Sequence, residues 1–337
     1  MSSSQFLSNC TADAMADAAE HLLAGDLVAF PTETVYGLGA DASNSQAVAR
    51  VYEVKGRPAD HPLIVHIASM DRMGDWASDV PEYAIKLARE FWPGPMTLVL
   101  KRSELAGDFI TGGQDTVGVR VPDHVVALAL IEAFEKAGGK GVAAPSANRF
   151  GQVSPTTAAA VIEELGEFLS ENDLVVDGGE CAVGVESTII DCTGDTPRIL
   201  RPGAISDDMV SQSTGLEVFR TYRFVTIDSA GFEIVKDAEE IRVSGSLENH
   251  YAPVAKVLLC ETPLPGQGFI AHKNIETPEG VIRLASPGDD EEFAHILYSA
   301  LRAADAQGLT EVVVMQPIGI GIAVAIRDRL ARAANGR

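Results

Sequence analysis

LVAF (27–30), PTETVYGLGADA (31–42) and KGRPADHPLIVH (55–66) are the segments whose reading sets the fold. LVAF and LIVHI (63–67) are apolar runs of strand length, and between them apolar residues over 47–54 recur at helical spacing. Strand, helix and strand in such quick succession make an α/β pattern. Thr32, Thr34, Lys55, Arg57, His61 and His66 fall at or just after the strands, where α/β proteins hold their ligands. Hydroxyls, cations and imidazoles gathered there suit a small anionic substrate.

The alternation continues outward. Met15, Ala18, Ala19, Leu22 and Leu23 recur at helical spacing, and Gly25 follows as a terminator. Helices are predicted over 82–91 and 125–136 and strands over 97–100, 117–121 and 142–144, with Thr156 or Thr157 capping a helix that ends near Leu169. Three β-like runs, LVVDGG (174–179), STIID (187–191) and RILRPG (198–203), follow so closely that antiparallel pairing is expected and the sheet should be mixed. The pattern weakens over 206–246, which reads as a linker. It resumes after HYAP (250–253) with strand KVLLC, helix EEFAHILYSALRAADAQG, strand EVVVMQ and helix AVAIRDRLARAA. Gly319 and Gly321 read as a tight strand-to-helix turn, because Val324 stands where a dinucleotide fingerprint needs its last glycine. At 337 residues two domains are expected: a larger one over 1–208, a linker over 209–253 and a smaller Rossmann-like α/β unit over 254–337.

A chain that is 46% hydrophobic and 22% charged is composed like a globular protein. Its net charge of -22 repels polyanions, so general binding to nucleic acid or an anionic membrane is not expected, although a local basic pocket is compatible with it. Cys10, Cys181, Cys192 and Cys260 form no C-x-x-C pair and have no histidine at zinc spacing, which points to a reducing compartment and no structural metal. MSSSQFLSNC lacks a leader pattern, and no apolar run approaches the roughly 20 residues that span a bilayer. A cytoplasmic protein without membrane contact is therefore expected.

Several side chains demand chemistry. Lys55 and Arg57 flank Gly56 at a helix end, just before Pro58. Two cations there could simply complement the helix C-terminus, but a glycine that admits a ligand and a histidine ending the next strand favour an anion site. Thr32 and Thr34 could serve only to bond backbone in a turn. Gly37 and Gly39 beside them read as turn glycines. APSAN (144–148) and Ser154 repeat the theme, and turn or capping roles would explain them equally well. Arg120 lies in an apolar strand, so its guanidinium needs an anion or an acidic partner. Ser187, Thr188 and Arg201 add hydroxyls and a cation at strand ends, where a surface salt bridge is the plain alternative for Arg201. No phosphate-binding P-loop, nucleophile elbow or H-E-x-x-H helix is present.

PTETVYGLGADA, KGRP, HPLIVH, FWPGPMTLVL, TVGVRVP, APSAN, SPT, VESTIID and LRPG, in that order, resemble the YrdC-like threonylcarbamoyl-AMP synthase family, and HYAP with the trailing unit resembles its two-domain form. The resemblance implies a twisted mixed sheet with flanking helices. It also implies an activity: L-threonine, bicarbonate and ATP give threonylcarbamoyl-AMP and pyrophosphate, for the N6-threonylcarbamoyl modification of tRNA adenosine. Carried over by motif, Thr34, His66, Arg120, Ala144 and Ser187 would bind threonine. Arg57, His61, Thr116, Ser146, Asn148, Ser154, Arg201, Ser244 and His250 would bind ATP, and Lys55, Arg57 and Tyr251 would serve catalysis, with Tyr251 in a linker that closes over the site. Mg2+ would accompany ATP, with no dedicated protein ligands. A downstream threonylcarbamoyl transferase acting on tRNA would consume the product, with at most weak direct RNA contact by this chain. His61 and Phe150 depart from the asparagine and serine common in the family, and SGSLENHYAP is less basic than the linker of some relatives. The alternatives are a carbamoyl-transfer domain of the hydrogenase-maturation type, whose zinc-finger cysteine pairs are missing, and a double-stranded RNA-binding protein, which the net charge opposes.

Overall fold

The computed structural model describes residues 7–8, 11–220, 222–227, 231–236, 241–245 and 250–335; Cys10, linker residues 246–249 and most of the acidic run before Ile241 lie outside them. A mixed sheet of twelve strands forms the larger part. Across it run Leu7–Ser8, Leu174–Val176, Val28–Phe30, Gly37–Asp41, Val142–Ala143, Ile64–His66, Thr116–Arg120, Met96–Arg102, Thr188–Asp191, Arg198–Arg201 and Phe219–Arg220, with Ala77–Ser78 added beside Met96–Arg102. Strand Val28–Phe30 shows why this is a fully covered sheet. Val28 and Phe30 pack with Met15, Leu22, Leu130 and Phe134 of two helices, while Leu27 and Ala29 join the main core with Leu38, Val48 and Leu98. Alternate residues of one strand thus feed two cores, and the strand is apolar throughout.

Register then sets the site. Ile64–His66 pairs in parallel with Thr116–Arg120, and His66 lies directly beside Arg120 at the strand ends. Helix Ser45–Lys55 is capped by Asn44, whose side chain accepts from the amides of Gln46 and Ala47. It stops at Gly56, which is left-handed at φ 62°. The left-handed cap by itself accounts for this glycine, and a Cβ there would also crowd the tip of the Arg149 side chain, 2.8 Å away. Gly37 and Gly39 lie within strand Gly37–Asp41 and not in a turn; the Phe30 ring and Val142 leave no room for a Cβ at Gly39.

Thr157, not Thr156, caps helix Ala158–Leu165. Of the three closely spaced β-runs, Thr188–Asp191 and Arg198–Arg201 do pair antiparallel. Leu174–Val176 instead runs parallel to both Leu7–Ser8 and Val28–Phe30, because residues 177–187 leave the sheet to cross over the 31–36 loop. There the Val183 amide donates to the Glu33 carbonyl. The stretch read as linker holds more structure than its pattern suggested: helix Asp207–Thr214, capped by Ser206, and an antiparallel pair, Tyr222–Ile227 with Gly231–Lys236.

The second unit has four parallel strands, Lys256–Leu259, Glu311–Val314, Gly268–Ile270 and Ile282–Ala285, with helices Asp290–Ala306 and Ile322–Ala334. Gly319 and Gly321 both have positive φ in the turn before the last helix. The core of this unit also takes in Val35, Val153, Val185 and Tyr251, so the two parts share buried apolar surface. Among the described residues no helix is long and apolar enough to cross a membrane, and Cys181, Cys192 and Cys260 are free thiols.

Candidate active site

One cavity collects most of the side chains singled out from the sequence. Its wall includes Thr32, Thr34, Arg57, His66, Arg120, Ala144, Ser146, Glu186, Ser187, Arg201, Ser244, Gly245, His250 and Tyr251. Three arginines thus face a single carboxylate, that of Glu186. In a chain of net charge -22 this is a sharply local reversal of sign.

Each element brings one piece. In the 31–36 loop Thr32 has the structural role: its hydroxyl donates to the Val35 carbonyl at 2.7 Å and receives the amides of Thr34 and Val35. That fold turns the Thr34 hydroxyl toward Arg120, which donates to it from both terminal nitrogens at 3.1 Å. The acidic partner demanded by Arg120 is Glu33, 2.6 Å away and equally buried. Sequence reasoning passed over Glu33 as the residue between two threonines. Burial and then the Arg120 charge push His66 down to about 3, so its imidazole is neutral near pH 7.

Arg57 donates to the Pro62 carbonyl and to the Ser244 hydroxyl, and burial lowers its pKa to about 10. Arg201 donates to the carbonyl and hydroxyl of Ser187 and to the Ser244 carbonyl, which ties residues 241–245 to the large sheet. Lys55 does not line the cavity. Its ammonium is buried behind the wall and donates to the carbonyls of Ser146 and Asn148, while burial and then Arg57 hold its pKa well below the usual lysine range. Asn148 and Ser154 also stand behind the wall, Ser154 donating to Glu186 at 2.7 Å. Thr116 lies apart, in a smaller adjoining recess with Pro62, Val99, Gln114 and Val243. The two departures from the family pattern touch each other. His61 and Phe150 meet edge to face at 5.5 Å, and Phe150 meets His250 at 6.0 Å with the Arg57 guanidinium over its ring.

Glu186 was not foreseen, although it adjoins Ser187. It accepts from Ser154 on one oxygen and from Tyr298 and Arg329 of the second unit on the other. Burial opposes its ionisation, but Arg329, Arg201 and these hydrogen bonds prevail and hold the carboxyl below its ordinary range. Arg329 and Tyr298 carried no sequence signal, because a charged residue on an amphipathic helix reads as solvated and an aromatic at helical spacing reads as core.

Buried polar atoms without a partner concentrate here. Arg57 Nε, His66 Nδ1, Arg120 Nε, His250 Nδ1 and Tyr251 Oη all belong to residues of the cavity wall. Native structures leave few such atoms, so five around one cavity mark a place built for a polar ligand. Among the described residues no group of three or more His, Cys, Asp or Glu side chains is arranged to hold a metal ion.

The profile of the Sua5/YciO/YrdC family, described as telomere recombination, matches residues 20–203, and that of the threonylcarbamoyl-AMP synthase C-terminal domain matches residues 215–335. The chain belongs to the Sua5/YciO/YrdC family. Within it, the chain is 41% identical to the threonylcarbamoyl-AMP synthase of Pyrococcus abyssi over 95% of its own length and 94% of that protein. Identity to the Bacillus subtilis threonylcarbamoyl-AMP synthase is 36%, over 96% and 93% of the two chains. The crystal structure of P. abyssi Sua5 complexed with L-threonine superposes on this Sua5/YciO/YrdC member with a TM-score of 0.85, at 36% identity and over 98% of both chains.

Proposed function

We propose that this chain is an L-threonylcarbamoyladenylate synthase. The threonine amine and bicarbonate form a carbamate with loss of water, and an oxygen of the new carbamate carboxylate, not the threonine α-carboxylate, attacks the α-phosphate of ATP, expelling pyrophosphate. The observation that carries the reading is the set of five unpartnered polar atoms in a wall of three arginines. All three substrates bear anionic oxygens. A buried cationic wall opposes their mutual repulsion and stabilises charge at the phosphorus in the transition state.

In this reading Arg120 keeps one nitrogen on Glu33 and offers the rest of its fork to the threonine carboxylate, with Thr34, His66, Ala144 and Ser187 around it. Arg57, His61, Ser146, Arg201, Ser244 and His250 hold ATP. Lys55, Asn148 and Ser154 act from behind by fixing the wall, and Thr116 reaches at most the rim. Tyr251 closes the cavity against water, which would hydrolyse the adenylate. The residues present do not suit a protein-held metal, since the wall is cationic and its one carboxylate is fully engaged. Mg2+ would therefore arrive bound to the triphosphate. We assign the reaction to the cytoplasm, where a threonylcarbamoyl transferase acting on tRNA would consume the adenylate.

The test is pyrophosphate release by the purified chain with ATP and Mg2+. Release that requires both threonine and bicarbonate supports the proposal; release independent of threonine, or none beside an active control enzyme, removes it.

A further inference from the structure

Two side chains of the second unit reach the cavity wall, and both end on the same carboxylate. Tyr298, from helix Asp290–Ala306, donates to Glu186 Oε2 at 2.8 Å, and Arg329, from helix Ile322–Ala334, donates to the same oxygen at 2.7 Å. Arg329 continues to the carbonyls of Glu186 and Pro202, so it spans both strands leading to Ser187 and Arg201. The same pair also holds Tyr251. Its ring stacks on Tyr298 with centroids 5.7 Å apart, and the Arg329 guanidinium lies over it at 5.3 Å.

Tyr251 needs holding. Its backbone is left-handed at φ 64°, a conformation that bulky residues rarely adopt unless the surroundings enforce it. Its hydroxyl is buried without a partner, and a Cβ on Gly245 would collide with it. The second unit therefore fixes one wall of the cavity through Glu186 and its closing residue through Tyr251.

We infer that Tyr298 and Arg329 are positioning residues for threonine: by clamping both Glu186, beside Ser187, and Tyr251 in the cavity wall, they make the second unit part of the binding site. This rests on the activity proposed above. An interdomain ion pair that served only cohesion would use the same contacts, but losing it would change stability and not the affinity for one substrate.

The experiment uses the full chain with Tyr298→Phe, Tyr298→Leu and Arg329→Lys. Threonine affinity comes from calorimetry without ATP, KM for threonine and for ATP from pyrophosphate release, and folding from thermal melts. Losing one hydrogen bond to a charged group, Tyr298→Phe should weaken threonine binding and raise its KM roughly five-fold. Tyr298→Leu, which also removes the stack, and Arg329→Lys, which loses the fork, should do so by about ten-fold or more, with KM for ATP within about two-fold. Tyr298→Phe keeps the ring in place, so it decides the matter if the others fail to fold. Unchanged threonine Kd and KM in folded variants would overturn the inference, as would threonine and ATP constants moving together with the folded fraction. Wild-type protein that binds threonine but releases no pyrophosphate would refute the proposed activity alone, since the calorimetric comparison would still judge the clamp.

Discussion

Two buried arginine–carboxylate pairs reach the cavity wall, one through Arg120 and one through Glu186, and they are finished differently. Arg120, at the end of a strand of the large sheet, and Glu33, in the 31–36 loop, bond to each other at 2.6 Å yet leave Arg120 Nε and Glu33 Oε2 without partners. Arg329 and Glu186, which join the two units, have every carboxylate oxygen and every guanidinium nitrogen in use. A buried pair that lacks partners is costly in a scaffold and sensible in a site whose ligand supplies them. The complete pair positions the wall and the incomplete pair is receptor, so they should respond differently to the same disturbance.

The largest effect is expected on the incomplete pair. Arg120→Lys keeps the charge but not the planar fork, and threonine-dependent pyrophosphate release should fall by about 100-fold or more while the chain stays folded. Steady-state kinetics beside a thermal melt checks this; activity within a few-fold of wild type would make Arg120 scaffold after all. Next comes acid sensitivity at His66, which lies in register with Arg120. Its folded pKa of about 3 is below the 6.5 of an unfolded histidine, so the unfolded chain binds the extra proton between those values. Stability from this site is intact above about pH 6.5, declines as pH falls below it and levels off near the folded value, with about 2 kcal/mol lost by pH 5. Denaturant titrations at pH 7.5 and 5 should show that loss, and His66→Gln should shrink it. The smallest effect is expected at the complete pair. Ser154→Ala removes one of the three donors to the Glu186 carboxylate, and should lower stability by about 1.5 kcal/mol with activity reduced less than ten-fold. A greater loss of activity than of stability would move Glu186 from architecture to chemistry.

The same contrast governs what could be read from the chain. The receptor side was legible because its residues break an apolar pattern at strand ends: His66 closes LIVH, Arg120 closes TVGVR and Ser187 opens STIID. A polar residue there has few structural excuses. Glu33 was missed because a partner is chosen by folding and not by neighbourhood. The architectural side was illegible for a different reason. In AVAIRDRLARAA the charged residues occupy what periodicity calls the solvent face, yet Arg327, Asp328, Arg329 and Arg332 are all buried, Arg327 on carbonyls of the adjoining turn, Arg329 on Glu186 and Pro202 of the large domain, and Asp328 between Arg329 and Arg332. Helical periodicity marks which face is polar, but not what that face meets. Lys55 shows the intermediate case, a cation correctly singled out whose charge ends on backbone carbonyls behind the wall.

The central claim is that one cavity joins threonine, bicarbonate and ATP. It is tested most directly by incubating the purified chain with ATP, Mg2+, L-threonine and 13C-bicarbonate and weighing the adenylate formed. The account predicts threonylcarbamoyl-AMP carrying one labelled carbon, with one pyrophosphate released for each. An adenylate of threonine without the label, or no adenylate at all, would contradict it.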